Sequence, residues 1–171
     1  MTDTWASGRV ALITGASSGF GEAMARRLLA AGAHVIATGR RAERCLRDRA
    51  QGRRALPRQN EGRALLLTRV LDVRDPSSID ALMADLPAPF DAIDILYNNA
   101  GLALGLNKAQ EASLDDWQTM IDTNVTGLVR MTRAVLPGMI ERNRGDVINL
   151  SSVAASYPYP GGNVYGATKA F

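Results

Sequence analysis

Tyr165 and Lys169 stand four residues apart in a segment that reads as the beginning of a helix. At that spacing one face of the helix carries both side chains. Transfer of a hydride to a carbonyl group builds alkoxide character, so a neighbouring group must deliver a proton as the hydride arrives. A phenol can do this when a nearby cation, such as an ammonium group, stabilises its phenolate. The pair is therefore chemically able to exchange a proton with an alcohol or carbonyl group, although the same spacing also occurs by chance on solvated helix faces.

A glycine-rich turn near the amino terminus joins an apolar segment to a segment with helical spacing. The turn reads Thr14-Gly15-Ala16-Ser17-Ser18-Gly19-Phe20-Gly21. Because glycine lacks a β-carbon, such a turn lets the backbone approach a pyrophosphate, whose charge meets the free N–H groups at the start of the helix. The glycine spacing differs from the common dinucleotide fingerprint. We predict a nucleotide-binding turn, with a plain tight turn as the alternative. The candidate contacts are Gly15, Ser17, Ser18, Gly19, Phe20 and Gly21.

The second apolar segment ends in Gly39, Arg40 and Arg41. A carboxylate at this place binds ribose hydroxyls and repels a 2′-phosphate, whereas an arginine favours the phosphate. These residues therefore predict NADP as the dinucleotide, with Arg40 as the first choice for the phosphate contact and Arg41 as the second. The alternative is that both arginines are simply solvated.

The elements that must position these residues alternate along the chain. Apolar segments that read as buried strands lie at 9–14, 33–38, 64–71, 93–97 and 146–151. One helical segment begins at Gly21 and another at Val164. Three more are predicted near 42–50, at 75–86 and at about 114–141. This alternation predicts an α/β fold, a Rossmann-type doubly wound parallel sheet with helices on both faces. We expect a single domain over residues 1–171.

Local signals mark where helices begin and end. Asp75 reads as a helix N-cap, with Pro76 at the first helical position. Ser113 with Asp116 resembles a capping box that opens the longest helix. We expect Pro137 to bend that helix or to end it early.

Composition and charge narrow the class of protein. The chain has 171 residues, of which 46% are hydrophobic, and a single cysteine, Cys45, so no internal disulfide and no thiolate metal site are expected. Without a signal-like segment or an apolar run of ~18 residues, we expect a cytoplasmic protein with no membrane contact. Residues 40–69 hold ten arginines against three acidic residues. Since no aromatic residues are interleaved there, we expect no nucleic-acid partner.

Two further runs complete a recognisable pattern. They are Asn98-Asn99-Ala100-Gly101 and Tyr165-Gly166-Ala167-Thr168-Lys169. Together with the glycine turn, they make the chain similar to the short-chain dehydrogenases/reductases over nearly its whole length. The resemblance implies a Rossmann-type fold and oxidoreductase activity on alcohol or carbonyl compounds.

The resemblance also assigns roles to residues. It implies a catalytic set of Asn124, Ser152, Tyr165 and Lys169. Ser152 matches the family's usual spacing of thirteen residues from serine to tyrosine, and Ser151 is the reserve candidate. In the family the asparagine and lysine support a water chain that returns the proton. Further implied cofactor contacts are Asp72 and Val73 at the adenine edge, Asn99, Ala100 and Gly101 in the ribose-side loop, and Tyr165 and Lys169 themselves. Asn98 could instead be purely structural, tying strands together.

Several runs, among them Ala37-Thr38-Gly39-Arg40-Arg41 and Gly161-Gly162-Asn163-Val164-Tyr165, resemble the bacterial NADP-dependent 3-hydroxy acid dehydrogenases of this family. That resemblance implies a small 3-hydroxy acid, such as serine, as substrate, and a homo-oligomer, a tetramer or a dimer, when the chain is complete. Because the family continues beyond the position of Phe171, we expect a chain truncated at its carboxyl end. The alternative functions are a non-catalytic dinucleotide-binding module and an inactive fragment.

Overall fold

The computed structural model describes residues 5–41 and 64–171. In these residues five parallel strands form one sheet in the order β3-β2-β1-β4-β5. The strands are β1 (Val10–Ile13), β2 (His34–Gly39), β3 (Leu66–Val70), β4 (Ile93–Asn98) and β5 (Asp146–Asn149). The chain winds outward from β1 to β3 and then resumes on the other side of β1 at β4. The predicted doubly wound parallel sheet is confirmed.

Five helices pack around this sheet in the described residues. They are α1 (Gly19–Ala30), α2 (Pro76–Ala84), α3 (Leu114–Ile121), α4 (Gly127–Glu141) and α5 (Asn163–Ala170). Short 3₁₀ turns at Ala109–Glu111 and Val153–Ala155 complete the connections.

The core lies on both faces of the central strands. All four residues of β1 are buried, and they alternate between the two faces. Ala11 and Ile13 face a cluster that includes residues of α1, whereas Val10 and Leu12 face a second cluster built with α2 and α4. Because both faces are covered, the strand reads as a continuous apolar run rather than an alternating one. At the edge of the described sheet, the four residues of β5 are exposed.

The predicted helix caps are present. The Asp75 carboxylate accepts a hydrogen bond from the Ser77 N–H at 2.9 Å, and Pro76 is the first residue of α2. The Ser113 hydroxyl accepts from the Asp116 N–H at 3.3 Å at the start of α3. Both arrangements satisfy backbone donors that the first helical turn leaves without an intrahelical partner.

The longest helix differs from the prediction in two ways. A π-helical turn at Asp122–Thr126 separates α3 from α4, so the predicted continuous α-helix over 114–141 is wrong in detail. Pro137 does not end α4 early, because the helix continues to Glu141. A proline removes only one intrahelical hydrogen bond, and burial of Val135 and Met139 on either side of it holds the helix against the sheet.

Some predictions fall on residues that the structure does not describe. The short helix expected near 42–50, Cys45 and the basic residues from 42 to 63 lie outside the described residues. Among residues 5–41 and 64–171, no helix has both the length and the apolar character that crossing a membrane requires.

Candidate active site

A groove of about 720 Å³ lies at the carboxyl ends of the strands. In doubly wound sheets, ligands bind at this edge, where the strand order reverses, here between β1 and β4. Most of the residues singled out from the sequence line it. They are Gly15, Ser17, Ser18, Phe20, Arg40, Arg41, Asp72, Val73, Asn99, Ala100, Gly101, Ser152, Tyr165 and Lys169.

Two glycines of the turn, Gly19 and Gly21, do not line the groove. Gly19, the first residue of α1, adopts a positive φ of 59°. Gly21 is buried, and a β-carbon on it would lie 2.4 Å from both the Asn99 side-chain nitrogen and the Gly15 carbonyl oxygen. Gly21 therefore allows close packing of α1 against the two loops that border the groove.

Thr14 and Asn99 tie together the loops that follow β1 and β4. The Thr14 hydroxyl oxygen accepts hydrogen bonds from the backbone N–H groups of Asn99, at 3.1 Å, and Ala100, at 3.0 Å. In return, the Asn99 side-chain amide donates to the carbonyl oxygens of Thr14, at 2.9 Å, and Gly15, at 3.0 Å. These four bonds fix the floor of the groove at the point where the strand order reverses.

Asn124 is buried behind the groove rather than in its lining. It lies in the π-helical turn, and its side chain reaches the loop after β4. The Asn124 oxygen accepts from the Leu102 N–H at 2.9 Å, and its amide donates to the Leu102 carbonyl oxygen at 2.9 Å. The same amide donates to the Thr168 hydroxyl at 2.9 Å, and that hydroxyl donates to the Tyr165 carbonyl oxygen. Asn124 thus joins α5 to the loop after β4.

Tyr165 and Lys169 project from α5 into the groove. The Lys169 ammonium donates to the Leu150 carbonyl oxygen at 2.9 Å. Its burial among these elements lowers the pKa of Lys169 below the ordinary value for a lysine. A β-carbon on Gly101 would lie 3.1 Å from the Lys169 ammonium nitrogen and 3.2 Å from the Asn124 side-chain oxygen. Because Gly101 has no side chain, the Lys169 ammonium can occupy this position without a close contact.

The two serines after β5 differ in their hydrogen bonds, although both line the groove. The Ser151 hydroxyl donates to the Lys169 carbonyl oxygen at 2.7 Å. The Ser152 hydroxyl oxygen accepts from the Ala154 N–H at 3.2 Å. Ser151 therefore uses its hydrogen within the fold, whereas Ser152 can offer its hydrogen to a ligand.

The end of the groove beyond β2 and β3 is strongly charged. Arg40 and Arg41 follow β2 and are exposed. The Asp72 carboxylate, which follows β3, accepts from the Arg74 guanidinium at 3.0 Å and 2.6 Å. This pairing with Arg74 holds the pKa of Asp72 below its ordinary value. Arg74 was not identified from the sequence, because nothing local marks which arginine will face a carboxylate.

Other polar residues prove to be part of the scaffold. The Asn98 amide donates to Asn149 at 3.0 Å and to the Thr132 hydroxyl at 3.0 Å, so this side chain ties β4 to β5. In residues 5–41 and 64–171, no three histidine, cysteine or acidic side chains come together in a way that could hold a metal ion.

Comparison with known proteins agrees with this geometry. The model of the short chain dehydrogenase family matches residues 9–171. The chain belongs to the short-chain dehydrogenase family. The five-stranded parallel sheet with its helices is therefore this family's fold.

Individual members of the family are similar in sequence and structure. An NADP-dependent 3-hydroxy acid dehydrogenase of Salmonella typhi is 57% identical over 162 residues, which are 95% of this chain and 61% of the relative. The crystal structure of serine dehydrogenase from Escherichia coli has a TM-score of 0.83 and 55% identity, and the match covers 95% of this chain and 70% of that chain. A closed form of serine dehydrogenase complexed with NADP+ also has a TM-score of 0.83 and 55% identity, over 95% of this chain and 61% of that chain. The chain thus spans about three fifths of the length of the curated relative.

Replacing Thr14 by valine should loosen the floor of the groove. The variant leaves the N–H groups of Asn99 and Ala100 without their acceptor, and we expect the free energy of unfolding to fall by about 2 kcal/mol. Thr38→Val is the matched control, since Thr38 is equally buried but only donates one bond, to the Ile13 carbonyl oxygen. Urea denaturation of both variants measures the difference. Equal losses in the two variants would contradict the role given to Thr14.

Lys169→Met should reveal the lowered pKa of Lys169 as a pH-dependent difference in stability. Between the lowered pKa and the ordinary one, the unfolded chain holds a proton on this group that the folded chain has lost, so folding is favoured as pH rises. The free energy of unfolding of the wild type, minus that of Lys169→Met, should therefore increase with pH through that alkaline window. Lys108→Met, at an exposed lysine, is the control. A wild-type advantage that stays flat or shrinks over this window would show that Lys169 is not desolvated.

Proposed function

We propose that this chain is the dinucleotide-binding and catalytic part of an oxidoreductase that transfers a hydride between NADP and a small 3-hydroxy acid or a related alcohol or carbonyl compound. The observation that carries this proposal is the single groove that contains the Tyr165–Lys169 pair at one side and Arg40 with Arg41 at the other. The names of the similar proteins, an NADP-dependent 3-hydroxy acid dehydrogenase and a serine dehydrogenase, support the same cofactor and substrate class.

The groove fits a dinucleotide. Its volume of about 720 Å³ is ample for a ligand of that size. Gly15 has a positive φ of 71°, and a β-carbon there would come within 3.0 Å of the Ala100 backbone, so this turn is built for close approach of backbone. The N–H groups that open α1 offer a site for a pyrophosphate, and two arginines offer a site for a further phosphate.

Each part of the cofactor has candidate partners. The turn through Ser17, Ser18 and Phe20 would hold the pyrophosphate, with Gly19 and Gly21 shaping the turn rather than lining the groove. The remaining contacts follow the strands: Arg40 and Arg41 to the 2′-phosphate, Asp72 and Val73 to the adenine, and Asn99, Ala100 and Gly101 to the ribose side, close to Tyr165 and Lys169.

Side chains of this chain would bind the substrate and transfer the proton. When bound, the cofactor in its reduced form, NADPH, would supply the hydride for reduction, and in its oxidised form, NADP+, would accept the hydride in oxidation. The Ser152 hydroxyl would hold the substrate oxygen by donating its hydrogen, while the Tyr165 hydroxyl gives the proton in reduction and takes it in oxidation. The half-buried ammonium of Lys169 favours the phenolate in that exchange. Asn124 fixes the position of α5 relative to the groove through its bonds to Leu102 and Thr168. The water chain known in the family would begin next to Asn124.

Oxidation of serine or 3-hydroxypropionate with NADP tests the proposal directly. The assay is made on this chain and on a completed chain, in which the part of the Salmonella relative that this chain does not cover is added. We expect isothermal titration calorimetry to detect NADP binding and expect turnover in the completed chain. NADP binding without turnover in either protein would favour the non-catalytic module, and absence of binding in both would overturn the proposal.

Tyr165→Phe should remove the proton donor while leaving the ring in place. In the completed chain we expect kcat to fall about a thousandfold, within the range for loss of a general acid. Tyr157→Phe is the matched control, because Tyr157 is 74% exposed and lies outside the groove lining. Similar turnover in Tyr165→Phe and the wild type would assign the proton to another group.

Assembly and location stay predictions. We propose a homo-oligomer of the complete protein in the cytoplasm, which size-exclusion chromatography with light scattering and cell fractionation would test.

A further inference from the structure

The charge of the groove is concentrated at the end formed by the loops after β2 and β3. Arg40, Arg41 and Arg74 all line that end. Asp72 is the one acidic residue among the described residues that line the groove. Its carboxylate therefore stands beside the arginines that would receive a phosphate, where an unbalanced negative charge would repel that phosphate.

Arg74 surrounds this carboxylate from two directions. Its guanidinium donates through Nε to Asp72 Oδ1 at 3.0 Å and through Nη2 to Asp72 Oδ2 at 2.6 Å, which is a bidentate pair. Its backbone N–H also donates to Asp72 Oδ1, at 3.0 Å. Arg74 thus compensates the carboxylate at both oxygens.

Arg40 lines the same end of the groove as this carboxylate. The hydrogen bond from Arg74 is the main reason that the pKa of Asp72 is low, and the charge of Arg40 lowers it further. Asp72 is therefore anionic at neutral pH. Without Arg74, the charge of Asp72 would be uncompensated and would draw Arg40 into an ion pair, so that Arg40 would be less available to a phosphate in the groove.

The position of Arg74 is fixed from the opposite side of the turn. Arg130 on α4 donates through Nη1 to the Arg74 carbonyl oxygen at 2.7 Å. The side-chain pair is only partly exposed, at 37% for Arg74 and 29% for Asp72. The backbone at Arg74 is therefore held in place by α4, and its side chain is held by Asp72.

We infer that Arg74 is a positioning residue that sets the cofactor preference: by compensating Asp72, it leaves Arg40 to bind the 2′-phosphate that distinguishes NADP from NAD. The inference rests on the proposed function, because it presumes that the groove takes a dinucleotide. It predicts an effect on NADP and not on NAD, since only NADP carries a phosphate at this end.

Titration calorimetry with NADP and with NAD on the 171-residue protein tests this inference. For Arg74→Met we expect the Kd for NADP to rise about tenfold at low salt, the size of one charge interaction near a surface, with the Kd for NAD nearly unchanged. Arg74→Lys keeps the charge and should retain most of the preference for NADP. In Asp72→Asn/Arg74→Met the carboxylate is gone, so the preference should return.

Arg69→Met is the matched control, because Arg69 also pairs with an aspartate, Asp85, but lies outside the groove lining. Its ratio of NADP to NAD affinity should stay at the wild-type value. Circular dichroism establishes that each variant is folded, and if Arg74→Met is unfolded, Arg74→Gln takes its place, with the same loss of preference for NADP expected.

The outcomes separate the inference from the proposed function. If the wild type binds neither dinucleotide, the proposed function fails and the inference fails with it. If the wild type prefers NADP but Arg74→Met keeps that preference or weakens both dinucleotides equally, only the inference is overturned. A double variant whose ratio of NADP to NAD affinity stays as low as that of Arg74→Met also overturns it, because Arg74 would then contact the phosphate itself.

Discussion

The buried amide of Asn124 is the contact on which the geometry of the site depends. It accepts and donates at the backbone of Leu102 and donates to Thr168, all at 2.9 Å. These bonds join three elements that are distant in sequence: the loop after β4, the π-helical turn and α5. Since misplacement of a catalytic group by ~1 Å can remove ~100-fold in rate, a fixed α5 is a condition for any proton transfer by Tyr165.

The groove also shows how charge is arranged around the place where a dinucleotide would lie. At one side, Lys169 is partly desolvated, which lowers its pKa and costs stability below that pKa. At the other side, Arg40 and Arg41 stand with Asp72, whose charge Arg74 compensates. Such an arrangement is typical of functional sites, where groups are held in environments that are unfavourable for the fold alone.

Much of the fold followed from local signals. The apolar segments around β1 and β4 predicted buried parallel strands, because a sheet covered on both faces needs continuous apolar strands. The observed strands differ from the predicted ones by at most two residues at their ends. Asp75 and Ser113 marked helix starts through their own local hydrogen bonds. The expectation that Pro137 could end the helix early was wrong, because tertiary burial of its neighbours outweighs the loss of one helical hydrogen bond.

The residue types of the site could be predicted from the sequence, but the hydrogen bonds between residues distant in sequence could not. The positions of Tyr165, Lys169 and the glycine turn follow from spacing and from the family resemblance. The part played by Thr14 depends on partners 85 and 86 residues away, and nothing in the neighbouring sequence indicates them. Gly21 stays a predicted cofactor contact, and the structure adds a packing role for it that depends on the close approach of Asn99.

The Asn124 amide holds α5 in place over the groove. Hydrogen–deuterium exchange of Asn124→Ala compared with the wild type measures this restraint, since exchange reports local opening of an element. We expect much faster exchange of the amides in Asn163–Ala170, with those of β1 and β4 unchanged. Unchanged protection of α5, or an equal loss of protection throughout the sheet, would contradict it.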